Sequence, residues 1–138
     1  MNDRFKFRFW HKPTEKMVDC YSYNSDFVFG NTLDGIGTEY NPAKFEDCIL
    51  MQCTGLRDKN GTLIYEGDIV KYTSKKSKTN PEKEPYTENY KVVWEEKYTG
   101  YNLQSKEKVN CFNLAIMTDD IEVVGNIYQD KELLNADI

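Results

Sequence analysis

Apolar and polar residues alternate from the start of the chain. Phe5, Phe7 and Phe9 fall on one side of an extended segment, and Lys6, Arg8 and Trp10 on the other. That period of two predicts a half-buried strand over residues 4–10. Residues 11–16 are polar and turn-like, and residues 17–23 resume the extended pattern, so residues 1–23 are expected to form a β-hairpin. Residues 24–46 contain Gly30, Gly35, Gly37 and Pro42 among Asn and Asp. They read as a long loop with one short strand at Phe27-Val28-Phe29. A second hairpin is predicted next, with arms over residues 48–54 and 62–65 and a turn centred on Asp58-Lys59-Asn60-Gly61. Asn60 and Gly61 suit that turn because both tolerate positive φ. Gly67-Asp68 then marks a sharp bend into Ile69-Val70-Lys71-Tyr72, where Gly67 allows the kink and Asp68 can accept hydrogen bonds from the turn amides.

Beyond that bend, residues 73–89 form a low-complexity insert rich in Lys, Ser, Thr, Asn and Pro. Such a composition buries too little apolar surface to order itself, so a mobile loop is expected. Strands are predicted over residues 90–94, 100–103, 109–116 and 121–128. Asp130 is placed as the N-cap of a short helix over residues 131–135. The fold class that follows is mostly β, all-β or α+β with little helix. An N-terminal hairpin precedes a small, partly open SH3-like barrel over residues 47–138, by analogy of the Gly-Asp kink with a barrel corner. The 138 residues read as one domain, long enough for a core without disulfides or metal.

Composition sharpens this picture in three ways. Ten Tyr and seven Phe favour strands over helices. A formal charge of -5 opposes non-specific binding to duplex nucleic acid, which depends on Lys and Arg neutralising phosphates. Cys20, Cys48, Cys53 and Cys111 show no paired spacing and accompany a single His, so reduced and mostly buried thiols are expected rather than a metal site. The odd spacing of Cys48 and Cys53 puts them on opposite faces of one strand. No continuous apolar segment suggests a leader or a membrane span, and the protein is expected to be soluble and cytoplasmic.

Three segments carry a resemblance to a known family. Lys6-Phe7-Arg8-Phe9-Trp10 with Lys16-Met17 is similar to KFRAWDK…KM. Residues 51–70, reading MQCTGLRDKNGTLIYEGDIV, are similar to QYTGLKDKNGKEIYEGDIV. Residues 122–128 with Glu132-Leu133-Leu134 are similar to EVIGNIYENPELL. In this order they resemble the YopX family of small phage and prophage proteins. His11 and Cys53 depart from that pattern, where Asp and an aromatic are commoner. The resemblance implies a phage or prophage protein in a bacterial host, and it implies no established activity.

Few residues suggest chemistry. Glu66 and Asp68 could share a strand face as paired carboxylates, but no partner or metal is at hand to shift one pKa, and a turn role accounts for Asp68. His11 and Cys20 are the one conceivable base–nucleophile pair, with no recognisable third group or oxyanion hole. Asn60-Gly61-Thr62 matches a glycosylation acceptor, a match that the Asn-Gly turn explains without modification. Lys75, Lys76 and Lys78, bordered by Tyr72, Tyr86 and Tyr90, form the one nucleic-acid-like feature. Six Lys against three Glu over residues 71–91 give a local charge of +3. Aromatics among lysines can stack bases and neutralise a single strand. Trp10, Trp94, Phe7, Tyr65 and Tyr128 are expected to pack in the core. The function expected is a non-enzymatic module without cofactor that binds a protein partner or its own copies, the alternative being a single-stranded nucleic-acid binder.

Overall fold

A computed structural model describes residues 3–31 and 42–135, and the statements below concern those. The protein is mostly β. Its strands are β1 (Phe7–His11), β2 (Lys16–Tyr23), β3 (Phe27–Asn31), β4 (Ala43–Lys44), β5 (Cys48–Arg57), β6 (Leu63–Tyr65), β7 (Asp68–Thr73), β8 (Thr87–Glu95), β9 (Gly100–Gln104), β10 (Asn110–Asn113) and β11 (Ile121–Asn126). The α-helix among the described residues is α1 (Glu132–Asn135). One sheet runs β4-β3-β2-β1-β5-β6 and the other β10-β9-β8-β7-β11, and neither closes into a barrel. Two compact units divide the chain, Met1–Gly55 and Leu56–Ile138, with β5 running across the boundary.

In the first unit, antiparallel pairing sets Phe9 opposite Val18 on β2 and Leu50 on β5. Because side chains alternate along each strand, these residues share a face. There Phe9, Val18, Val28 and Ala43 form a buried cluster, with Cys20, Cys48 and Leu50 packed against it. The N-terminal alternation overreaches by three residues, since β1 begins at Phe7. Residues Asp3–Phe5 form a 3-10 turn closed by the Lys6 amide on the Asp3 carbonyl, so Phe5 leaves the ladder and is exposed. His11 ends β1 instead of lying in a solvated turn: it is buried, with Nδ1 2.6 Å from Thr14 Oγ1.

The short strand expected at Phe27-Val28-Phe29 is present as β3, and the rest of the loop expected over residues 24–46 also contains β4 and the start of a 3-10 turn, Phe45–Asp47. Gly30 shows why composition misled. It sits inside β3 opposite Cys20, where a Cβ would lie 2.4 Å from the Asp19 carbonyl and 2.9 Å from the Phe9 ring. Its glycine serves close packing, not a loop. Gly35 and Gly37 lie outside the described residues.

In the second unit, Ile64, Val70, Tyr90, Val92, Leu103, Leu114, Met117 and Ile121 make the core. The expected insert narrows to residues 74–86. β7 keeps Thr73, β8 begins at Thr87, and the Ser74 amide donates to the Tyr86 carbonyl while the Tyr86 amide donates to Ser74 Oγ. The strand expected over 109–116 stops at Asn113, whose Oδ1 accepts from the Ala115 amide and starts a 3-10 turn. The last strand ends at Asn126, before Tyr128.

Candidate functional site

The polar turn between β5 and β6 is organised by Asp58. Gly61 donates to the Asp58 carbonyl at 3.0 Å and takes φ +84, whereas Asn60 keeps negative φ. The Asn-Gly pair therefore does not adopt the doubly positive turn expected. A left-handed glycine closes it instead. The Asp58 carboxylate is 6% exposed. Oδ1 accepts from the Asn60 amide at 2.8 Å and the Thr62 amide at 2.9 Å, and Oδ2 accepts from the Val123 amide at 2.8 Å. Beside it, the Lys59 amide donates to the Ile121 carbonyl at 3.1 Å. Burial alone pushes the Asp58 carboxyl up, but the three amides and the Lys59 charge outweigh it and hold the group below its ordinary value.

Two other aspartates do similar work. Asp68 is buried, and its Oδ2 accepts from the Tyr65 amide at 2.8 Å. Gly67, at φ +86, donates to the Val92 carbonyl and accepts from the Ile127 amide. Asp130 does not cap α1 through its side chain. Its Oδ2 folds back on the Asn126 amide at 3.1 Å, in the space that a Cβ on Gly125 would fill. Asn126 Oδ1 in turn accepts from the Tyr128 and Gln129 amides. Asp58, Asp68 and Asp130 each hold backbone amides, the role of a structural carboxylate rather than of a proton-transfer pair.

The proposed base and nucleophile are not together. His11 lies opposite Lys16 and Phe7 opposite Cys20, so His11 and Cys20 are about 13 Å apart along the ladder. Burial raises the Cys20 thiol, partly offset by its bond to the Ser22 carbonyl. Burial first, then Asp47 and Cys20, push Cys48 up to about 11. Neither is an activated thiolate. Cys53 is buried, on the face opposite Cys48, while Cys111 is exposed, contrary to the expectation of buried thiols.

The lysine insert is not assembled as a stacking platform with its bordering tyrosines. Tyr90 is 3% exposed, a core residue whose hydroxyl donates to Glu88 at 2.9 Å. Tyr72 is half-buried among Tyr86, Tyr90 and Phe112, with ring centroids at 5.9, 6.3 and 5.4 Å. Lys75 Nζ lies 3.6 Å from Asp120 Oδ1, and Lys76 and Lys78 are exposed. Of the large aromatics assigned to the core, Trp10 is buried, but Trp94 is exposed, edge-on to Tyr101 at 5.0 Å.

One arrangement was not legible in the sequence. Phe7, Tyr23 and Phe45 form a row in the first unit, with centroids 5.9 Å and 6.3 Å apart. Tyr23 is 49% exposed and Phe45 38%. Phe5, Phe7, Cys20, Tyr21 and Tyr23 line a shallow depression of about 320 Å³ beside the row. The aromatic content of these segments was a weak signal, because their meeting depends on the pairing of β2, β3 and β4. Among the described residues no group of three or more His, Cys, Asp or Glu could hold a metal ion. No helix among them is long and apolar enough to cross a membrane.

The YopX protein family matches residues 6–135. The chain belongs to the YopX family. Among solved structures it is similar to protein EF1440 from Enterococcus faecalis, at 23% identity over 94% of this chain and 96% of that one, with a TM-score of 0.59. It is also similar to protein yopX from Bacillus subtilis, at 20% identity over the whole of both chains, with a TM-score of 0.56. At these identities the likeness shows the fold. No curated protein matches the chain. The fold gives a physical sense to the segments that carry the YopX resemblance. The Asp58-Lys59-Asn60-Gly61 turn, β7 and β11 converge: β11 pairs with β7, and the Asp58 carboxylate reaches β11 across 65 residues of sequence. They form a hydrogen-bonded frame.

Proposed function

We propose that this YopX chain is a non-enzymatic binding module of phage or prophage origin, working in the bacterial cytoplasm on a protein partner or further copies of itself. The observation that carries the reading is the aromatic row of half-buried Phe7 with exposed Tyr23 and Phe45. Large aromatics at a surface are the residues that supply most binding energy at protein interfaces. The aspartates of the frame point the same way, since each is engaged by backbone amides. Light scattering at micromolar concentration, with pull-down from bacterial lysate, tests it. Association or capture should be lost on Tyr23→Ser and Phe45→Ser. A monomer that captures nothing, or captures equally with both variants, defeats the reading.

A second reading, single-stranded nucleic-acid binding on an SH3-like second unit, draws on exposed Lys76 and Lys78 and on Tyr86 at the end of the same insert, which is 43% exposed. It expects oligonucleotide binding at low salt that disappears when Lys75, Lys76 and Lys78 become Ser. The absence of binding at low salt ends it.

A further inference from the structure

A strand at the end of a sheet presents unpaired N–H and C=O groups to any other strand that can reach them. β11 is such a strand in the order β10-β9-β8-β7-β11. Several of its groups on the side away from β7 are already taken. The Val123 amide donates to Asp58 Oδ2 at 2.8 Å, the Ile121 carbonyl accepts from the Lys59 amide at 3.1 Å, and the Asn126 amide donates to Asp130 Oδ2 at 3.1 Å. Its register against β7 also slips between Val123 and Gly125. A carboxylate suits this place because it accepts the strand's amide and offers no N–H of its own to a newcomer. β10, at the other end, is treated differently. It is four residues long and irregular at Cys111, features that blunt an edge without a cover.

We propose that the Asp58 turn, with Asp130, is a guard that closes β11 against addition of a strand from a second copy of this chain. The guard is separate from the binding face proposed above, which lies in the first unit. Removing the Asp58 acceptor should free the Val123 amide and turn β11 into an association edge.

Amide hydrogen exchange on the full chain, with light scattering over a concentration series, tests this. In the native protein the Val123 amide should be protected like the ladder amides of β7. In Asp58→Asn, which keeps an oxygen for Asn60 and Thr62, Val123 should exchange roughly tenfold to a hundredfold faster, the range for losing one charge-assisted hydrogen bond. The variant should then associate with rising concentration. Adding Val123→Pro, which removes the amide and is tolerated on a strand's outer side, should abolish that association. Tyr23→Ser should leave it unchanged, which separates failure of the guard from failure of the aromatic face. Three results overturn the proposal: native Val123 exchanging as fast as Lys76, Asp58→Asn with freed Val123 yet no added association, or association that survives Val123→Pro. The first is read on the native chain, so it decides even if Asp58→Asn does not fold.

Discussion

Asp58 concentrates more of this protein's hydrogen bonding than any single sequence cue suggested. Its carboxyl is held below the ordinary value, so its contribution to stability is present above the unfolded value of 3.8. That contribution is lost as pH falls through the lower folded value. Urea midpoints measured down through that window should fall for the native chain and flatten in Asp58→Asn. Asp58→Ala should cost about 2–4 kcal/mol at neutral pH, because buried amides lose their acceptor. Two glycines separate space from conformation. Gly30→Ala meets backbone and the Phe9 ring and should cost about 1–3 kcal/mol through overpacking. Gly61→Ala has nothing within 4 Å but sits at φ +84, and should cost about 1–2 kcal/mol through backbone strain alone. Chemical denaturation of the two variants distinguishes these causes.

Among the elements, the β7–β8 hairpin shows which boundaries can be read from sequence. Strand-forming residues were evident on both sides of the insert, but its length was overestimated. The bonds between Ser74 and Tyr86 continue the hairpin past the point where composition turns polar. Lys75 and Asp120 add little, since the lysine side chain is 77% exposed and such pairs contribute about 0–1 kcal/mol. Replacing residues 75–85 by a short Gly-Ser turn should therefore shift stability by less than about 1 kcal/mol, as loop closure depends weakly on length. A drop well beyond that in the thermal midpoint would mean that the loop packs on the sheet. The helix begins at Glu132 instead of Lys131, and the Asp130 carboxylate accepts from the Asn126 amide instead of capping the helix.

Over the whole molecule, each unit has its own cluster of buried residues, around Phe9 in the first and around Val92 and Leu103 in the second. Phe9→Ala and Leu103→Ala should each cost about 2–5 kcal/mol. Because the two clusters are built from different residues, the losses in the double variant should add to within about 0.5 kcal/mol. A larger deviation in denaturant titrations would show that the cores are coupled. The net charge of -5 sets a further bound, because a polyanion would have to bind against the overall field.

The succession of most strands along the chain, the Gly67 kink and the site of the turn at Gly61 were determined locally, since alternation and glycine act over a few residues. Mostly-β character and YopX membership followed from the same short segments. The reach of Asp58 to Val123, the tight seat of Gly30 on Phe9 and the row Phe7–Tyr23–Phe45 were decided only by tertiary structure. Each depends on which strands pair and in what register, and that is set by burying apolar faces across segments far apart in the chain.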